Sequence, residues 1–164
     1  MRRLWAPWRM AYLRGEHKPV DGCVFCSKIA ADDAEEHVLY HGTRCFVMLN
    51  RYPYSNGHLM VVPYAHVSSL ELLDDATLLE LFQTVRRAQA VLRKASRPQG
   101  FNIGINEGHA AGAGIEEHIH VHIVPRWDGD ANYLTVVGET RVIPEMLDET
   151  YALLKPYFDA WTDE

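Results

Sequence analysis

Cysteine is scarce in this chain, long apolar runs are missing, and positive charge is in deficit; each shortage removes a class of function. Three cysteines in 164 residues are too few for a disulfide-stapled scaffold and fit a reducing compartment, so cytoplasm is the expected location. No stretch approaches the roughly 18 uninterrupted apolar residues a membrane span requires. The first ten residues, Met1 to Met10, carry arginines but no apolar h-region, so they do not read as a secretory signal. Asp and Glu outnumber Lys and Arg by 22 to 16, a net charge of −6, which argues against bulk nucleic-acid binding. A small anionic ligand is still admissible, because local donors in a pocket matter more than total charge. There is no internal repeat and no low-complexity tract. What remains, 48% hydrophobic and 23% charged residues, is ordinary for one globular domain with a sizeable core.

The most informative run is His118-Ile119-His120-Val121-His122-Ile123-Val124. Strict alternation predicts a β-strand with His118, His120 and His122 in a row on one face and Ile119, Val121 and Ile123 toward the core. A lone strand histidine is ordinarily a hydrogen-bonded polar residue. Three in register with only aliphatic residues between them mark a site. Such a row permits two chemistries: metal binding, or nucleophilic catalysis by one imidazole with its neighbours contacting the electrophile. Close imidazoles resist joint protonation, so a neutral nucleophile at neutral pH is expected. The preceding small-residue loop (Gly108, Ala110, Ala111, Gly112, Ala113, Gly114) offers backbone N–H groups to phosphate oxygens, or is simply a tight connection between strands.

Along the chain, residues 1–20 (with Trp5, Trp8 and Tyr12) form an aromatic and basic arm, laid over this domain or a partner. Residues 21–132 form the main domain, and 133–164 a C-terminal strand and helix packed on it. Cys23-Val24-Phe25-Cys26 is a C-x-x-C pair, which alone leaves zinc, redox chemistry and chance open. Strands are expected at 37–41, 44–50, 58–62, 101–106, 118–124 and, briefly, 134–137. Cys45 reads as a small core residue. Asp74 should cap a long helix whose apolar stripe is Leu78, Leu81, Phe82, Val85, Ala88 and Leu92. Its other face, with Glu80, Arg86, Arg87, Arg93 and Lys94, reads as solvated. A C-terminal helix should start with Pro144 in its first turn, bury Leu147, Tyr151, Leu154 and Phe158, and kink or end at Pro156. The fold class is α+β: an antiparallel sheet of about five strands with one long helix and a C-terminal helix.

The triple-histidine run resembles the signature of the histidine triad (HIT) family, His-φ-His-φ-His-φ-φ with φ apolar. The resemblance extends over roughly residues 21–132. Asn50 with His58 eight positions on is similar to the family's ribose-binding segment, and Asn106-Glu107-Gly108 to the strand end before its phosphate loop. Leu4–Met10 and Pro125–Asn132 resemble a bacterial branch that includes diadenosine tetraphosphate phosphorylases. The resemblance implies a HIT-like sheet and a nucleotidyl hydrolase or transferase acting on a dinucleoside polyphosphate. His120 would attack the α-phosphate, His122 donate to phosphate and bridging oxygen, His118 orient the row and His58 lie beside it. Asn50 would hold the ribose; Phe25, Phe46 and Met48 would wall the base. Asn106 and the backbone at Gly112 and Gly114 would hold phosphate.

No catalytic metal is implied, but a structural zinc is, on Cys23, Cys26, His66 and His118, as is a homodimer joined at its sheet edges. Many relatives carry Gln-Ser or Gln-Thr just before the triad, where this chain has Gly114-Ile115, so leaving-group contacts must come from backbone or elsewhere. The competing readings are a nucleoside phosphoramidase of the same family, a three-histidine zinc metallohydrolase, and a non-catalytic nucleotide-binding module.

Overall fold

Two five-residue runs, Cys45–Leu49 and Leu59–Pro63, hold no charged residue and are buried along their whole length. Runs of this kind are strands covered on both faces, and here they form the middle of a sheet. The computed structural model describes residues 22–131 and 143–161; the arm at 1–20 and the strand expected at 134–137 lie outside the described residues. Strands β1 (Val38–His41), β2 (Cys45–Leu49), β3 (Leu59–Pro63), β4 (Gly100–Gly104) and β5 (Val121–Arg126) make one antiparallel sheet in the order β1-β2-β3-β5-β4. Short helices α1 (Val24–Lys28) and α2 (Asp33–Glu36) precede it.

Alternation along the strands sorts side chains onto two faces. Cys45, Val47, Leu49, Leu59, Val61, Val121 and Ile123 join Ile119 in the main core. Phe46, Met48, Met60 and Val62 form a second cluster with Phe25 and Val38. His122 pairs with Met60, and Met60 with Met48, in the strand register, so it stands on the second face.

The main core is covered by α3 (Asp75–Ser96) and α4 (Leu147–Asp159). The Asp74 carboxylate accepts the Thr77 N–H at 2.7 Å and caps α3. Leu81, Val85, Ala88 and Leu92 are buried at helical spacing, joined by Thr77 and Thr84. Phe82, expected on that stripe, is 49% exposed instead; it follows Leu81 by one residue, about 100° round the helix, and turns outward. Glu80 corrects the expectation of a merely solvated face. Its Oε1 accepts the N–H groups of Arg44 (2.7 Å) and Cys45 (3.1 Å), pinning α3 to the start of β2. Gly42 makes room for this: a Cβ there would lie 2.7 Å from Glu80 Oε1 and 2.9 Å from the Cys45 carbonyl.

Helix α4 starts at Leu147, later than expected from Pro144, because Glu149 accepts the Met146 N–H at 3.0 Å and sets the cap there. It runs through Pro156 to Asp159, with Leu154 and Phe158 buried and Leu147 and Tyr151 packed against the same core. A proline so near the C-terminus removes one helical bond, and the Ala160 N–H closes the last turn on the Pro156 carbonyl at 3.1 Å. The histidine strand also begins later than its pattern suggests, at Val121. Residues 118–120 run ahead of the ladder, where the Ile119 N–H reaches the Val67 carbonyl at 2.7 Å.

Candidate active site

The three triad histidines and His58 are all buried, with His118 fully so. Phe25, from α1, lies under the row, 5.4 Å from the His118 ring and 4.8 Å from the His120 ring. His120 and His122 meet edge to face at 4.7 Å, and His58 and His122 lie 5.1 Å apart. The expected single-faced row therefore forms, although only His122 belongs to the paired ladder.

Hydrogen bonds determine where each ring carries its proton. His120 Nδ1–H donates to the carbonyl of His118 at 2.9 Å, which leaves the Nε2 lone pair free. His58 Nδ1 accepts the Tyr54 backbone N–H at 3.0 Å, so its proton sits on Nε2 and is donated to His122 Nδ1, also at 3.0 Å. His122 Nδ1 is thus an acceptor, and the neutral ring must carry its proton on Nε2. One bare nitrogen and one N–H donor now stand on adjacent rings.

Burial keeps these rings neutral. It is the chief cause that lowers His58 to about 3 and His122 to about 4, with the neighbouring imidazoles adding to the effect. His120 is lowered by burial against the opposing pull of its bond to the His118 carbonyl. An uncharged His120 is what a nucleophile near neutral pH requires.

The ring nitrogens of His118 have other partners than those of His120 and His122. Its Nε2–H donates to the Pro63 carbonyl at 2.8 Å, and its Nδ1 lies 3.2 Å from Cys23 Sγ and 3.6 Å from Cys26 Sγ. His66 Nδ1 is 3.3 Å from Cys26 Sγ. The donor atoms of Cys23, Cys26, His66 and His118 lie within 4.8 Å of one another, the one such group among the described residues. A tetrahedral zinc with two sulfur and two nitrogen ligands would hold S and N about 3.5 Å apart, so the spacing fits. The backbone bond at Nε2 fixes His118 as an Nδ1 ligand. Burial and the neighbouring Cys23 both push the Cys26 thiol up, a tension that a cation among these donors would relieve.

The remaining candidates divide. Asn50 lies beside His58, its Nδ2 3.4 Å from His58 Nδ1, and its Oδ1 accepts the Tyr52 N–H at 2.9 Å. Phe46 and Met48 are buried inside the second cluster, which makes them packing residues; of the three expected wall residues, Phe25 is the one against the histidines. Asn106 and Gly114 lie on the loop after β4. Gly112 is corrected: in left-handed conformation at φ 81°, it closes the turn at His109–Ala111 and donates its N–H to the His109 carbonyl at 2.9 Å, so that amide is already engaged. Tyr54 was not singled out by the sequence. Its ring lies 4.7 Å from His58 and 5.9 Å from His122, and only its place in an aromatic loop four residues before His58 hinted at this.

Comparison with known proteins agrees with this geometry. The HIT domain model matches residues 31–129. The AP-4-A phosphorylase of Mycobacterium tuberculosis is 44% identical over 163 residues, spanning 94% of this chain and 83% of that protein. The asymmetrical bis(5'-nucleosyl)-tetraphosphatase of Schizosaccharomyces pombe is 37% identical over 93 residues, 57% of this chain and 50% of that protein. A crystal structure of a Zn-bound histidine triad family protein from Mycobacterium smegmatis superposes with a TM-score of 0.69 at 27% identity, covering 85% of this chain and 94% of that one. The matched segment takes in all five strands and the four buried histidines, and the chain belongs to the HIT domain family.

Proposed function

We propose that this chain is a nucleotidyl hydrolase or transferase that cleaves a dinucleoside polyphosphate of the diadenosine tetraphosphate type at the α-phosphate. The observation that carries this reading is the neutral His120 ring with Nδ1 bound to the His118 carbonyl and Nε2 bare. His120 Nε2 attacks the α-phosphorus; the N–P bond forms as the P–O bond to the leaving polyphosphate breaks with its electron pair, and His122 Nε2–H donates a hydrogen bond to the departing oxygen. Phosphate or water then displaces the nucleotidyl group: its oxygen bonds to phosphorus as the N–P bond breaks, the electron pair returns to His120 Nε2, and the acceptor's proton passes to solvent. Asn50 binds the ribose hydroxyls, and Asn106 with the Gly114 backbone binds phosphate oxygens. The named activity of the M. tuberculosis relative supports this substrate class.

Cys23, Cys26, His66 and His118 would hold a zinc, which supplies a structural tie between the N-terminal segment and the triad strand. With both ring nitrogens of His118 committed, it positions the strand rather than moving a proton. The same geometry argues against a metallohydrolase with three triad ligands, since His118 does not converge with His120 and His122. A second copy is the proposed partner along β4, which ends the sheet and exposes Asn102, Ile103 and Gly104. Among the described residues no helix is long and apolar enough to cross a membrane; the three unpaired cysteines fit a reducing cytoplasm.

The test is a product assay on diadenosine tetraphosphate with and without inorganic phosphate. ADP plus ATP appearing only with phosphate identifies a phosphorylase, and AMP plus ATP without phosphate identifies a hydrolase. Absence of turnover under both conditions overturns the reading.

A further inference from the structure

The loop before β3 does more than connect strands. Tyr54 gives its backbone N–H to His58 Nδ1 at 3.0 Å, and its ring lies tilted over both members of the His58–His122 pair, at 4.7 and 5.9 Å. His58 is 1% exposed and His122 9%, whereas Tyr54 is 49% exposed. The ring therefore lies against the imidazoles while about half of the residue's surface is exposed.

We propose that Tyr54 is a positioning residue, whose N–H sets the His58 tautomer and whose ring keeps water off the His58–His122 hydrogen bond, so that His122 always presents Nε2–H to the leaving group. This rests on the reading of His122 as the hydrogen-bond donor to the leaving group. A water at this bond could accept from an Nδ1–H of His122 as readily as donate to a bare Nδ1, and the ring would then no longer be held in one tautomer by His58. Among the described residues, the titratable groups acting on the pair are its own two rings and His120, with no carboxylate to offset the loss of burial. Opening the pair to water removes the main cause that keeps both rings neutral.

The experiment follows the ring nitrogens of 15N-histidine-labelled protein by NMR, with no substrate, through a pH titration of wild type, Tyr54→Ala and Tyr54→Phe. In the wild type, His58 and His122 should both be Nε2–H tautomers at pH 7. In Tyr54→Ala their protonation midpoints should rise by about one pH unit or more, with mixed tautomers at His122, and Tyr54→Phe should restore the wild-type pattern. The acid limb of kcat/KM should move by the same amount. Unchanged midpoints and tautomers in Tyr54→Ala overturn the proposal, as does a Tyr54→Phe variant that behaves like Tyr54→Ala. Because the NMR arm needs no turnover, a shift in an inactive protein would sustain this proposal while defeating the functional reading.

Discussion

Acid should unfold this protein through the very rings that make its site work. Unfolded, each imidazole protonates near about 6.5; folded, His58 stays neutral down to about 3 and His122 down to about 4. Within that window the unfolded chain binds protons that the folded chain refuses, so stability is complete above 6.5 and falls as pH drops toward the folded values. Each ring costs about 1.4 kcal/mol per pH unit there. From pH 7 to pH 5 the two together cost roughly 4 kcal/mol, a large share of a typical stability of about 5–15 kcal/mol. The carboxylate of Asp74, lowered by its bonds to Thr77, titrates below this range and does not confuse the reading. Urea unfolding at pH 7, 6 and 5 should show the midpoint falling by at least about 1.5 M, with His118 and His120, also lowered by burial, acting in the same direction. The His122→Phe variant, which keeps a buried ring without the titrating nitrogen, should recover roughly 0.7 M of that fall, its own ring's share. Equal midpoints at pH 5 and pH 7 would refute the reasoning.

Three further outcomes follow from the packing. Cys23→Ser should drop bound zinc well below one per chain and lower the melting temperature; full zinc occupancy, read by metal analysis, would refute the four-donor site. Gly114 has open space where a Cβ would point and no left-handed backbone requirement, so Gly114→Ala should leave stability within about 0.5 kcal/mol. If its backbone meets phosphate, KM for the nucleotide should nonetheless rise several-fold, and an unchanged KM would remove Gly114 from the site. Glu80→Ala leaves the Arg44 and Cys45 amides without their carboxylate and should cost about 1–3 kcal/mol in chemical denaturation, while kcat stays near wild type.

The sequence made the architecture legible wherever burial imposes a pattern. Cys45–Leu49 and Leu59–Pro63 were legible as strands, although their central place in the sheet was not, and the triad announced itself because polar residues at every second position of a buried run need a purpose. Phe82 escaped because a helical stripe about 100° wide has no sharp edge, so a neighbour of Leu81 falls in or out by packing alone. The start of α4 escaped because Glu149 reaches back to cap Met146, which outweighs the proline signal at 144. Within the site, residue types were readable and proton positions were not. The carbonyls of His118 and Pro63 and the amide of Tyr54 decide which nitrogen of each ring is bare, and every residue has a carbonyl. For the same reason Gly112 looked like a phosphate donor, although its amide is committed to the His109 carbonyl.

The most direct test of the account is whether the nucleotidyl group passes through His120. Enzyme mixed with diadenosine tetraphosphate labelled at the α-phosphate, quenched in alkali within the first turnover and digested, should yield a labelled peptide containing His120. The adduct should be acid-labile and should be absent from His120→Asn, with activity reduced on the order of a thousandfold or more. Turnover retained in His120→Asn, or product formed with no label on the protein, would contradict the central claim.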